Sequence, residues 1–157
     1  MPYNLSPLLA ALLLVTAPMA TADTPAKAQG SATANVPIVT PDEKVVYHVN
    51  DSENAMVALR NVQNHLSASP NVHIAVVTHG KGIDFLLMGA QDKTGNAYEP
   101  VVQALKEKGV DFRVCNNTLK SRKLEASAVI PEASIVPSGV AEIGRLQAKE
   151  GYVYLKP

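Results

Sequence analysis

The run NVHIAVVTHG at residues 71–80 decides the fold. From Ile74 to Thr78 the residues are apolar or β-branched without a charged break. A strand with one wet face alternates polar and apolar residues, whereas a continuous run of this kind belongs to a strand covered on both sides. Pro70 and Asn71 open it, and Gly80 and Gly82 close it. A doubly covered strand implies neighbours that are parallel, and parallel strands are joined by crossovers, usually helices.

The flanking sequence supplies those helices. Upstream, Ala55, Met56, Leu59, Val62 and Leu66 recur at helical spacing, with Ser52 as the expected N-cap and Glu53 suited to the helix dipole. Before them, EKVVYHVN (43–50) reads as the first strand. Downstream, IDFLLMG (83–89) is a short helix or a buried loop, and DKTGNA (92–97) is turn chemistry. Pro100 suits a first helical turn, Val101, Val102 and Leu105 form an apolar stripe, and Gly109 is a C-terminal stop. VDFRVC (110–115) is a third strand, residues 119–128 have helical character with a basic face of Lys120, Arg122 and Lys123, and ASIVP (133–137) is a fourth strand. Ser138 caps a last helix carrying Val140, Ile143 and Leu146 and closing at Gly151, before a final strand, YVYLKP (152–157).

Strands alternating with helices predict an α/β fold: a single flavodoxin-like three-layer domain with a five-stranded parallel sheet. The usual strand order of such a sheet, 2-1-3-4-5, places ligands beyond the carboxyl ends of the first and third strands.

The first 41 residues read differently. LLAALLLV (8–15) is an unbroken apolar run of signal-peptide size, too short to span a bilayer as a helix. Ala20 and Ala22 supply the small-x-small pattern of a cleavage site after Ala22, and the only positive charge ahead of the run is the terminal amine. Pro7, Pro18 and Pro25 argue against a buried helix there. The expected organisation is a signal peptide (1–22), a flexible proline-, alanine- and threonine-rich linker (23–41) and a folded domain (42–157). It predicts a periplasmic protein with no membrane span once the signal is removed.

Fourteen lysines and arginines balance fourteen aspartates and glutamates, so no basic field exists to attract nucleic acid, and none is expected as a partner. HGKG (79–82) has neither P-loop nor dinucleotide spacing, and no phosphate-cradling loop follows the first strand. With aromatic residues at 4% and no tryptophan, a flavin is not expected. No Gly-x-Ser-x-Gly elbow marks a serine hydrolase. His48, His65, His73 and His79 are scattered, without zinc spacing; no metal site is expected, and copper(I) on a soft ligand stays open. His48 and His73 read as core or rim residues of their strands.

The chain holds one cysteine, Cys115, so no intramolecular disulfide can form. Its thiol falls at the carboxyl end of the third strand, just ahead of a possible helix start at Asn116, Asn117 and Thr118, whose free N–H groups favour thiolate, with Lys120 and Arg122 able to add positive potential. Thiolate is the nucleophile in disulfide exchange and persulfide formation. The opposing reading, a small buried hydrophobe at a strand end, weighs equally on position alone. On the 2-1-3-4-5 order Asn50 and Asp51 would be neighbours of the thiol, and Asp51 would disfavour thiolate if it pointed at the sulfur. His79, at the end of the second strand, would line the same face two strands away.

The segments KVVYHVND, VVTHGKGIDFLL, LKEKGVDFRVCNNTLK and VPSGVAEIGRLQAKEGYVYLKP resemble the DsrE/DsrF-like family over residues 43–157. That resemblance implies a flavodoxin-like fold without flavin or other cofactor, assembly as a homotrimer or homohexamer, and a sulfur relay in which a cysteine, here Cys115, carries persulfide between partners. The expected function is that of an exported sulfur carrier or sulfurtransferase-type protein. Cys115 would be the reactive residue, Asn50, Asp51, Asn116, Asn117, Thr118 and His79 the substrate contacts, and a sulfur-carrier protein or small sulfane-sulfur compound the partner. The alternative is a non-catalytic oligomeric module binding a small ligand or soft metal.

Overall fold

The computed structural model describes residues 42–157, so the signal peptide and linker expected over 1–41 lie outside the described residues. The elements run β1 (Lys44–Val49), a 3-10 turn (Ser52–Asn54), α1 (Ala55–Ala68), β2 (His73–Thr78), a 3-10 segment (Gly80–Leu86), α2 (Glu99–Glu107) and β3 (Asp111–Cys115). They continue with α3 (Asn116–Ser121), a 3-10 turn (Ala126–Ala128), β4 (Ala133–Val136), α4 (Gly139–Glu150) and β5 (Val153–Leu155).

All four strand pairings are parallel, so the five-stranded α/β flavodoxin-like sheet is present. Its order is β4-β3-β2-β1-β5, not the expected 2-1-3-4-5. The chain steps from β1 through β4 in one direction, then returns across the whole sheet to β5. Right-handed crossovers in opposite directions place their helices on opposite faces. Accordingly Ala58, Leu59 and Val62 of α1, Val102 and Leu105 of α2 and Leu119 of α3 pack with Val45, Tyr47, Ile74, Val76, Phe112 and Val114 on one face. On the other, Ile143 and Leu146 of α4 cover Val46, Ala75 and Val77. Each fully buried aliphatic or aromatic side chain in these layers contributes roughly 1.5–3 kcal/mol.

The chain therefore leaves β3 toward the face of α1 and leaves β4 toward the face of α4. The point where neighbouring strands send their chains to opposite faces lies between β3 and β4. The crevice beyond strand ends at such a point is where open α/β sheets bind ligands.

Local chemistry explains the shifted element ends. Asp51, not Ser52, caps the turn after β1, accepting from the Glu53 N–H at 3.0 Å. The expected 119–128 helix begins earlier and ends earlier, as α3, because the chain turns helical directly after Cys115 and leaves at Lys123 with a φ of 57°. Ser138 caps α4 as expected, accepting from the Ala141 N–H at 3.4 Å, and Gly151 closes it at a φ of 75°. His73 is exposed at the start of β2 rather than part of a core or rim. Among the described residues no helix is long and apolar enough to cross a membrane.

Candidate functional site

Along β3 the side chains alternate: Phe112 and Val114 point into the larger core, while Asp111, Arg113 and Cys115 point to the α4 side. Cys115 pairs with Val136 of β4 and stands at the β3–β4 divide, where Ser138 and Gly139 begin α4. The residue is 4% exposed. The surroundings are nevertheless not merely aliphatic. Burial works to raise the thiol pKa, but the N–H of Gly139, the Thr118 hydroxyl and the N–H groups of Thr118 and Asn117 together outweigh it and hold the thiol below its ordinary value. Two helix starts thus converge on one sulfur, that of the short α3 and that of the twelve-residue α4.

The Thr118 hydroxyl has a second link. It accepts from the Gly80 N–H at 3.0 Å, which leaves its own proton free to donate to the sulfur. This ties the loop after β2 to the start of α3. Gly80 adopts a φ of 58°, and Gly82 packs so close to β1 that a Cβ there would lie 2.1 Å from the Val49 carbonyl oxygen. The HGKG stretch holds its glycines for this approach.

Gly139 is confined too, though less tightly. A Cβ on it would meet the Thr78 carbonyl oxygen at 3.0 Å, the Cys115 Cβ at 3.2 Å and the His79 Cβ at 3.3 Å. Any side chain there would press the start of α4 a few tenths of an ångström away from the thiol unless its neighbours yield. A polar clamp fixes it there: Glu142 accepts from Arg113 of β3 and, at 2.9 and 2.7 Å, from Nε and Nη2 of Arg145, while Arg113 Nε donates to Asp111 at 2.9 Å. The hydrogen bonds from Arg145, and then those from Arg113, keep the Glu142 carboxyl below its usual range against the opposing effect of burial.

His79 is closer than the expected strand order allowed, because β2 adjoins β3, and its Cβ stands beside Gly139. Its Nε2 lies 2.7 Å from His48 Nε2, and His48 Nδ1 lies 2.7 Å from the Tyr154 hydroxyl of β5. Burial first, then the neighbouring His79 and Lys156, lower the His48 pKa to about 4. Among the described residues no three His, Cys, Asp or Glu side chains are grouped to hold a metal ion.

Asn116, Asn117 and Thr118 directly follow the thiol in α3. Asn50 and Asp51 do not adjoin it, since β2 intervenes between β1 and β3. Asp51 instead turns its carboxylate to the Glu53 N–H and lines an open groove of about 640 Å³ with Lys81, Asp84, Thr118 and Arg122. Arg122 pairs there with Asp84, and neither it nor Lys120 is among the causes of the lowered thiol pKa. Sequence reasoning missed Ser138 and Gly139 as neighbours of the thiol. The signal was the serine cap followed by glycine; β4 adjoins β3 in both orders, but the return crossing to β5 is what puts the start of α4 on the side to which Cys115 points.

The DsrE/DsrF-like family model matches residues 43–157. A solved structure of MTH1491 from Methanobacterium thermoautotrophicum, described as a protein of unknown function, is similar at 29% identity with a TM-score of 0.66, over 74% of this chain and 100% of that one. The crystal structure of the ychN protein from E. coli is similar in fold, at 15% identity with a TM-score of 0.62, over 73% of this chain and 99% of that one. No curated protein matches the sequence significantly.

Proposed function

The chain belongs to the DsrE/DsrF-like family, and from that membership together with the surroundings of Cys115 we propose that it is a sulfur-carrying thiol protein. In this reading Cys115 takes up sulfane sulfur, holds it as a persulfide and passes it to an acceptor. The observation that carries the proposal is the set of donors around the sulfur: three backbone N–H groups and the Thr118 hydroxyl hold the thiol below its ordinary pKa despite its burial. The thiolate attacks a sulfane sulfur, and the persulfide formed is also an anion that the same donors would stabilise.

The amino-terminal pattern supports export to the periplasm, and apolar side chains left open at Val140 on α4 and at Val153 and Leu155 on β5 support assembly as a homotrimer or homohexamer. Fractionation with N-terminal sequencing, expected to begin at Asp23, and light scattering test these two points.

Incubation of the purified protein with inorganic polysulfide, followed by intact mass measurement, tests the central one. The expected result is added sulfur mass that a reductant removes and that Cys115→Ser abolishes. Unchanged mass in the wild type, or equal sulfur on Cys115→Ser, refutes it.

A further inference from the structure

The groove beyond β1, β2 and β3 is lined by three acidic and two basic side chains, and one of each sign has no ion-pair partner among the described residues. Arg122 is paired with Asp84, and Glu53 lies 3.5 Å from Lys93. Lys81 makes no ion pair among the described residues, nor does Asp51, whose Oδ1 accepts only the Glu53 N–H. The unpaired cation and anion line the same space of about 640 Å³, together with Ser52 and Ser121. A groove with one free charge of each sign gives no net attraction to a small dianion. It matches a ligand that itself carries an ammonium and a carboxylate.

The groove stops one side chain short of the thiol, since Cys115 itself does not line it. Thr118 lines it and donates to the sulfur of Cys115, so one side chain separates the groove from the nucleophile. We propose that the sulfur donor is the persulfide of a small amino-acid thiol, seated with its carboxylate at Lys81 and its ammonium at Asp51, and its sulfane sulfur directed past Thr118 to Cys115. This rests on the persulfide-carrier reading and names its donor class.

The step balances without an oxidant. The Cys115 thiolate attacks the terminal sulfur of R–S–SH, a bond forms between Sγ and that sulfur, and the R–S bond to it breaks. The electron pair leaves with R–S⁻, which takes a proton from water, and Cys115 carries –S–SH.

The test compares two donors, cysteine persulfide and inorganic polysulfide, on the full-length protein and on Lys81→Ala and Asp51→Asn, with second-order loading rates read by intact mass. Both variants are expected to lower the rate with cysteine persulfide roughly fivefold, the size of a single exposed ion pair, and to leave the rate with polysulfide within about twofold. A third variant, Lys108→Ala, removes a charge at the end of α2 that neither lines the groove nor pairs with a residue lining it, and is expected to leave both rates unchanged. Equal effects on the two donors, or none on either, overturn the donor assignment while the carrier reading survives. No loading of Cys115 by either donor overturns both.

Discussion

Replacing Thr118 with valine removes the hydroxyl that faces Cys115 while keeping the β-branched shape and nearly the same volume. In the native protein that hydroxyl accepts from the Gly80 N–H at 3.0 Å and gives its proton to the sulfur. A hydrogen bond to a charged group is worth about 1.5–3 kcal/mol, and part of it survives for the neutral thiol, so the differential loss is about 1.4 kcal/mol. At 1.36 kcal/mol per unit, the thiol pKa should rise by about one unit. The pH dependence of the iodoacetamide alkylation rate reads this directly, because only thiolate reacts. Thr118→Ser keeps the hydroxyl and should leave the midpoint within a few tenths of the wild type. A valine midpoint equal to that of wild type, or a serine midpoint displaced as far as valine's, would refute the claim that this side chain holds the anion. The lost partner of Gly80 should also cost roughly 1 kcal/mol of folding stability, separable by urea unfolding.

Further outcomes follow from the same contacts. Gly139→Ala places a methyl 3.0 Å from the Thr78 carbonyl oxygen and should cost about 1–3 kcal/mol in urea unfolding while raising the alkylation midpoint, as α4 is pushed off the thiol. Because the folded thiol pKa lies below its unfolded value, the stability it adds is complete above the ordinary thiol pKa of about 8.5 and is lost as pH falls through the folded value; the gap between wild type and Cys115→Ser in urea midpoints should therefore widen with rising pH. His48 is held neutral in the fold to about pH 4, so the unfolded chain binds a proton the folded one does not between about 6.5 and 4. Stability should fall as pH drops through that window, and His48→Gln should flatten the fall in a thermal melting series. Glu142→Ala removes the carboxylate between Arg113 and Arg145 and should destabilise by about 2 kcal/mol, with a raised alkylation midpoint because α4 loses its hold on β3.

The layered fold was legible because its signals are local. The continuous apolar run of β2, the helical stripe of α1 and the serine and glycine at the two ends of α4 each dictate their own element. The strand order was not, because nothing in the composition of a strand names its neighbour; that depends on crossover direction across the whole sheet. The error in order had a specific consequence for the site. It put Asn50 and Asp51 beside Cys115 and His79 too far away, whereas the pairing of β2 with β3 brings His79 near and the return crossing to β5 puts the start of α4, with Gly139, on the side to which Cys115 points. Asn116, Asn117 and Thr118 could be read because they follow Cys115 directly in the chain. The role of Thr118 as the link to Gly80 required the neighbouring loop and left no trace in spacing.

The amide of Gly139 belongs to the last helix of the chain, some two dozen residues after the cysteine it faces. While the polypeptide is still emerging, or whenever its carboxyl-terminal third is undocked, Cys115 lacks that donor to its anionic form. The acidity of this thiol is therefore a property of the completed fold and not of the segment that carries it.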